Sequence, residues 1–465
     1  MKNRIDFFVL IFLCLFAPLF FFNLNGYSLV DFDEAWFGEI AKNILKTHNP
    51  FLLFFNGQPF LDHPPTGFIF QAISIFIFGE NEVGVRMPSA AAGLLSLIVL
   101  YQIGKKLFNR TVGLAAALIL TSCVWFVYRS RMGDLDSILL FLFLLTFATA
   151  TLVKDNIKFL YLLPFPLVAL LLTKSFIGLV IIPPIAVFLI LQKVKISKLK
   201  ILNTIVIFLI LIAPWFVQNY SKYQLGFVEN FYRVGTRTNQ KQRINFAQIH
   251  KSQTLTYLHF GMRKWYYPAL VAVAGSLFFI SKKKNLIPLY VWLAILFYGF
   301  LTNTKTEIWH LIPIYPPLAL LIGFFLHKVV SSFVRNKKLA SAIVILPVLA
   351  LSLYQIYSFK NEIKLFDKQK DGVAQTAKAA RGLSEKLFLD TDLYTPAVAA
   401  FYSDKTVNIL KLEQPPANNL QGIFQNGEKP FLLLTEKWKL DLEGIEPQSY
   451  QVLKEYREHL LIKVI

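Results

Sequence analysis

Residues 159–200 read FLYLLPFPLVALLLTKSFIGLVIIPPIAVFLILQKVKISKLK. Two apolar runs, 159–173 and 176–192, flank a lone Lys174, and a tail with Lys193, Lys195, Lys198 and Lys200 follows. Runs of about 15–20 apolar residues have the length to cross roughly 30 Å of hydrocarbon as helices, and a basic tract beside one marks a membrane edge. The same alternation recurs along the chain. It predicts spans near 7–24, 88–104, 112–128, 136–153, 159–173, 176–192, 201–217, 266–281, 286–302, 310–327 and 339–358. The expected fold is a polytopic α-helical membrane protein of about 11 spans, in a range of about 11–13. A transmembrane β-barrel would instead show short alternating segments.

Composition agrees. Of 465 residues, 55% are hydrophobic and 16% charged, against about 25% charged in soluble domains. The formal net charge of +20 would suit a nucleic-acid partner, but its placement suits a membrane. With the N-terminus cytoplasmic, Lys105, Lys106 and Arg110, then Lys154 and Lys158, fall on the cytoplasmic side. So do Lys193–Lys200, Lys282–Lys284, and Arg335, Lys337 and Lys338, as the positive-inside rule requires. The reading is a multi-pass protein of the plasma (inner) membrane with no nucleic-acid partner. Lys2 and Arg4 precede a first run too long for a signal-peptide core, so it is read as an uncleaved span. Cys14 and Cys123 lie in apolar runs and read as packing residues.

This topology leaves two long outer loops, near 25–87 and 218–265, and places 359–465 outside as well. Residues 1–358 form the expected transmembrane domain. Residues 359–465 form the expected small extracytoplasmic α/β domain, with strand-like runs at 386–389, 406–410, 431–434 and 459–465 and helix-like runs at 373–383 and 396–402.

The first outer loop contains Asp31-Phe32-Asp33-Glu34-Ala35-Trp36-Phe37-Gly38-Glu39-Ile40-Ala41. Apolar residues at 36, 37, 40, 41, 44 and 45 keep helical spacing, which suits an amphipathic helix on the membrane surface. Asp33 then has two readings: an N-cap for that helix, or, with Glu34, a carboxylate in a wet cavity that accepts a proton from an incoming hydroxyl or amine. Carboxylates also suit Mg²⁺ or Mn²⁺, so a divalent cation is compatible with this pair, although the residues name no metal. Asp62-His63-Pro64-Pro65 forms a stiff turn with two polar groups, and Arg86-Met87-Pro88 closes the loop.

A second acidic turn, Arg129-Ser130-Arg131-Met132-Gly133-Asp134-Leu135-Asp136, lies on the same face in this topology. Ionisable residues at the ends of several spans are a functional-site default in membrane proteins, and Asp136, where a span begins, is favoured over Asp134. Lys174 either snorkels to the interface or offers a compact charge to a lipid phosphate. Lys305, before Trp309-His310, is a further cation of this layer. The second outer loop is basic and aromatic, which suits an anionic lipid headgroup.

These elements, in this order, resemble a family. The Asp33-Glu34 pair with Glu39-Ile40-Ala41 comes first, then the x-Pro-Pro turn, Arg-x-Pro and the acidic turn. Thr173-Lys174-Ser175 and Ile312-Pro-Ile-Tyr-Pro-Pro317 follow. The chain over about 25–320 is similar to GT-C glycosyltransferases of the protein O-mannosyltransferase and lipid A aminoarabinose transferase type. The resemblance implies inverting transfer of a sugar from a polyprenyl-phosphate carrier to a lipid, glycan or protein acceptor on the outer face. It implies Asp33 as principal catalytic carboxylate, with Glu34 and Asp136 as acidic partners. Lys174, Arg131 and Lys305 would meet the donor phosphate, and Asp62, His63, Arg86, Asp134 and His310 would line the acceptor side or cavity. His63 stands where lysine often precedes the prolines, and Trp309-His310 replaces a pairing that ends in tyrosine. A transporter or flippase of a lipid-linked substrate is the alternative. It accounts for the spans and intramembrane cations, but not for carboxylates clustered in long outer loops.

Overall fold

The structure, a computed structural model, describes residues 7–236, 252–302, 306–390, 396–410 and 419–465. The chain divides into two compact units. Met1–Phe22, Leu61–Gly67 and Pro88–Leu365 form the first; Asn23–Phe60, Phe68–Met87 and Phe366–Ile465 form the second.

Seven helices among the described residues are long and apolar enough to cross a membrane: Glu82–Leu107, Asp136–Val153, Ile157–Leu191, Lys198–Val234, Lys284–Leu301, Ile308–Phe333 and Lys337–Phe359. Arg110–Thr121 and Val124–Ser130, bent by 72°, make an eighth if counted as one span. The sequence count of about 11 is larger because it divides Ile157–Leu191 at Lys174 and adds Phe7–Phe21 and Tyr266–Leu277, whose regular helix covers 15 and 12 residues. Two of these differences coincide with residues at positive φ, Asn23 after Phe7–Phe21 and Ser175 after Lys174. The helix Lys198–Thr236 also continues beyond the expected boundary near 217, with a kink at Gln224.

Breaking a helix in hydrocarbon orphans backbone groups that must find partners within the protein. At the Arg110–Thr121/Val124–Ser130 bend, buried Gln355 donates from Nε2 to the Ser122 carbonyl (3.1 Å) and accepts from the Lys264 amide at Oε1 (2.6 Å). Ser352 donates to the Leu118 carbonyl at 2.9 Å, and the Trp265 indole donates to Ser122 Oγ at 2.8 Å. The helix Lys337–Phe359 thus satisfies two helix breaks at once, this bend and the end of the helix Thr254–Met262, where Arg263 has φ 54°. Elsewhere along Arg110–Thr121, Gly104 meets Gly113 so closely that a Cβ on Gly104 would lie 2.6 Å from the Gly113 Cα. Small residues that let backbones approach are a standard device of membrane helix packing.

The second unit carries a two-stranded hairpin, β1 (Phe54–Phe55) and β2 (Gln58–Pro59), and a five-stranded sheet. The sheet strands are β3 (Lys386–Asp390), β4 (Val407–Leu410), β5 (Phe431–Glu436), β6 (Tyr450–Tyr456) and β7 (His459–Val464), in the order β4-β3-β5-β7-β6. β3 pairs in parallel with β4 and β5, whereas β7 pairs antiparallel with β5 and β6. Central β5 is buried on both faces from Phe431 to Thr435, which is why it reads as an unbroken apolar run. Phe424, Phe431, Leu433, Leu460 and Ile462 pack on one side. Four strands fall where the sequence expects them. β6 escapes because it is an edge strand with mostly exposed, polar residues. The amphipathic segment forms the helix Trp36–Thr47, whose Phe37, Ile40, Ala41 and Ile44 are buried. Protein covers this stripe rather than lipid: a Cβ on Gly38 would lie 3.0 Å from the Phe401 ring of the helix Pro396–Ser403.

Candidate active site

In the first unit the short helix Val124–Ser130 ends at Arg131, and the next begins at Asp136. The turn between them is held from inside: Asp134 Oδ1 accepts from the Asp136 amide at 2.8 Å, and Ser89 donates to the Asp134 carbonyl at 2.6 Å. This geometry brings four charged groups together. Arg129 Nε lies 2.5 Å from Asp134 Oδ2, Arg129 Nη2 lies 2.9 Å from Asp136 Oδ2, and the Lys174 ammonium donates to Asp136 Oδ1. The Trp309 ring lies 4.7 Å from the Arg129 guanidinium carbon, and His310 is within electrostatic reach of Asp136. Burial, opposed by Arg129 and reinforced by neighbouring Asp136, pushes the Asp134 carboxyl up from its ordinary range.

Buried charges persist only when paired, and this cluster pairs each of them. It is graded in exposure: the side chains of Asp134, Asp136 and Arg129 are 0, 3 and 6% exposed, but that of Lys174 is 16% exposed. Lys174 is therefore the member best placed to meet a ligand. Its ammonium has three donors, and Asp136 orients it through one. The next residue, Ser175, has φ 58° and ψ −141°, a region that glycine favours and that other residues occupy only where their surroundings impose it. That strained break ends the helix Pro164–Lys174 at the lysine.

Just after the Asp62–Pro65 turn, the first residues of the helix Thr66–Phe78 meet the acidic turn. Gly67 approaches Leu135 so closely that a Cβ there would stand 2.3 Å from Leu135 Cδ2. Asp62 is exposed and His63 half-buried, while Pro64 and Pro65 are buried.

Arg131, expected to meet the donor phosphate, has its guanidinium engaged by backbone carbonyls. It is buried, with Nε donating to the Ile363 carbonyl (3.0 Å), Nη1 to Leu19 (2.9 Å) and Nη2 to Phe22 (2.9 Å). Arg129 supplies the guanidinium of the cluster instead. The sequence signal for it was position: Arg129 lies in the last turn of a helix that leads directly into the acidic turn. Lys305 lies outside the described residues.

In the second unit the Asp33 region corrects two expectations. The helix Trp36–Thr47 is preceded by Ala35 at the N-cap, without a side-chain cap bond, so Asp33 does not cap it. Asp33 instead sits at φ 62°, ψ −62° inside a wide turn closed by the Ala35 amide on the Val30 carbonyl at 2.9 Å. A non-glycine residue at positive φ is a strained one. Glu34 is not a second open carboxylate. Fully buried, it accepts from Arg86 Nε (2.5 Å), Arg86 Nη2 (2.7 Å) and the Val30 amide (2.8 Å). Arg86, expected to line a cavity, spends its other donors on the carbonyls of Leu24 (2.6 Å), Tyr27 (2.9 Å) and Ser28 (3.0 Å). The pair clamps the turn that carries Asp33, and it leaves no two-carboxylate seat for a cation at Asp33-Glu34.

Known proteins resemble this chain in sequence and in fold. The dolichyl-phosphate-mannose-protein mannosyltransferase family matches residues 62–217. An uncharacterised protein of Aquifex aeolicus is 26% identical, over 73% of this chain and 68% of its own length. The undecaprenyl phosphate-alpha-4-amino-4-deoxy-L-arabinose arabinosyl transferase of Wigglesworthia glossinidia brevipalpis is 30% identical, over 38% of this chain and 33% of its own length. Among solved structures, ArnT from Cupriavidus metallidurans matches with a TM-score of 0.75 in the apo state, at 14% identity and over 98% of each chain. Its undecaprenyl phosphate-bound form matches with a TM-score of 0.73, also at 14% identity, over 99% of each chain. By fold and by sequence together, this chain is a polytopic membrane protein similar to glycosyltransferases of the GT-C type.

Proposed function

We propose that this protein transfers a sugar, with inversion, from a polyprenyl-phosphate carrier to a lipid, glycan or protein acceptor on the outer face of the plasma membrane. The observation that carries the reading is the buried Arg129–Asp134–Asp136–Lys174 cluster with its most open cation at Lys174, in a fold shared with a protein solved with undecaprenyl phosphate bound. Attack at the anomeric carbon expels a lipid phosphate, so negative charge grows on the phosphate oxygens. Preorganised cations aimed at those oxygens lower the barrier. Lys174 takes that part, with Asp136 and Arg129 fixing it. Asp33, on a turn pinned by Glu34 and Arg86, is the carboxylate that accepts the acceptor's proton. Direct displacement needs no covalent enzyme intermediate, by analogy with inverting glycosidases.

The accompanying topology has about 11 spans, a cytoplasmic N-terminus, a catalytic transmembrane domain over 1–358 and an extracytoplasmic domain over 359–465. His63, Asp62 and His310 are assigned to the acceptor side or cavity. No observation favours the transport alternative.

The test is transfer from a panel of radiolabelled polyprenyl-phosphate monosaccharides in membranes that contain wild type, Asp33→Asn or Lys174→Met. Wild type should move label off the carrier. Asp33→Asn should lose about 10²–10⁴ in rate and Lys174→Met about 10²–10³, with normal membrane insertion. An Asp33→Asn protein as active as wild type would remove Asp33 from its role, and failure of every donor would sink the reaction class.

A further inference from the structure

A polar cavity lies in the first unit, and none of its lining residues belongs to the acidic turn. It has a volume of about 510 Å³ and is built where three chain segments end: Leu107–Asn109, Ser281–Asn285 and Phe324–Ser331. Lys282, Lys283, Lys284 and Lys328 line it, and no carboxylate does. Among the described residues, none of these four lysines takes part in an ion pair. Four like charges gathered around one concavity repel one another, and a bound anion relieves that repulsion.

The floor and walls suit a phosphate that carries something apolar. Phe108 and Phe324 pack within the cavity with ring centroids 4.9 Å apart, and Phe279 receives the Lys328 ammonium at 5.5 Å. Asn109 and His327 meet across the wall at 3.5 Å. Asn285 is fixed between the Leu107 carbonyl and Gln192, at 2.7 Å each, so the wall is preorganised. Beside the cavity in sequence, Phe278 and Phe333 are each 84% exposed, as residues that face lipid are.

We propose that this cavity is a binding site for the phosphate headgroup of an anionic phospholipid of the cytoplasmic leaflet. The assignment of the leaflet rests on the topology proposed above; the headgroup chemistry does not. Basic pockets between helix ends on the cytoplasmic side collect anionic headgroups in this way. The lysines supply charge, Asn109 and His327 supply hydrogen bonds, and the exposed phenylalanines border the acyl chains. The site takes no part in sugar transfer.

The test is lipid retention by the full-length protein in phosphatidylcholine nanodiscs, with phosphatidylglycerol titrated in and bound lipid counted by native mass spectrometry. Wild type should retain phosphatidylglycerol, and Lys283→Gln/Lys328→Gln should bind it more weakly by about 25-fold, at about fivefold per lysine. Inorganic phosphate added in parallel separates the sources: competition by phosphate at low concentration would reassign the site to a soluble phosphate ligand and overturn the lipid. Equal retention by wild type and variant would overturn the site. Arg335→Gln, a cation outside the lining, serves as the control and should retain lipid as wild type does. A matching loss in that control would make the effect one of overall basic charge and overturn the site as well. Sugar transfer measured on the same samples reports on the catalytic reading separately, because the binding readout does not depend on it.

Discussion

The clamp beneath Asp33 makes a prediction whose size and order both follow from the geometry. Glu34 and Arg86 are each 0% exposed and meet through two hydrogen bonds of 2.5 and 2.7 Å. Removing one partner of a buried pair costs about 3–5 kcal/mol, because the other charge is left uncompensated. Glu34→Gln removes the charge but leaves Arg86 its three carbonyls, Leu24, Tyr27 and Ser28. Arg86→Met removes more: Glu34 keeps only the Val30 amide among these bonds, and the three carbonyls lose their donor at about 1–3 kcal/mol each, not additively. Arg86→Met should therefore be the worse of the two. Thermal unfolding of purified protein in detergent should place Glu34→Gln about 6–10 °C below wild type, taking about 2 °C per kcal/mol for a chain of this size, with Arg86→Met lower still. If Asp33 has the role proposed above, turnover should fall in both, with KM for the donor less affected than kcat, since the clamp would then position Asp33 rather than touch substrate. A Glu34→Gln protein that melts within about 2 °C of wild type, or below Arg86→Met, would refute the reasoning.

Three further outcomes are expected. Asp33→Gly should melt higher than wild type by the equivalent of about 1 kcal/mol, because glycine relieves the positive φ, while transfer is abolished; a lower melting point would show that the turn is not strained. Gln355→Leu should destabilise by about 2–4 kcal/mol, since the Ser122 carbonyl and the Lys264 amide both lose a buried partner, and near-normal melting would mean that other groups satisfy the two helix breaks. Burial alone would raise the Asp404 carboxyl, but the hydrogen bonds from Lys42 and Lys46 hold it below its ordinary range. Its stabilising contribution is thus present above the unfolded-state value near 4 and disappears as pH falls through the lower folded value. Asp404→Asn should remove that part of the acid sensitivity, so a variant with the wild-type slope of melting temperature against pH would exclude the lysine pairing as its source.

Much of the fold was legible in the sequence, because the features that carry it are local. Apolar run length and basic flanks identify membrane helices one at a time, and the strands β3, β4, β5 and β7 announce themselves as short apolar runs. What local pattern misses is where the backbone breaks within a run. Lys174 and Ser175 read as a boundary between two spans, whereas the bend at Ser122-Cys123 has no comparable signal and is held by Gln355, more than two hundred residues away. Residue types at the site were similarly legible. Asp136 and Lys174 stand out because charges at span ends are costly unless used, and the tertiary structure pairs them.

The sequence by itself determined a helical membrane protein with acidic turns and isolated cations at the ends of its spans, since hydrophobic length and the cost of burying charge are properties of the residues alone. Only the tertiary structure decided what each charge does. Arg129 and Arg131 are two residues apart in one turn, yet one guanidinium meets Asp134 and Asp136 and the other meets three backbone carbonyls. Asp33 and Glu34 are adjacent carboxylates, yet one stands on a strained turn and the other is buried against Arg86. The energy of a charge depends on the groups packed within a few ångströms of it, and those groups come from distant parts of the chain.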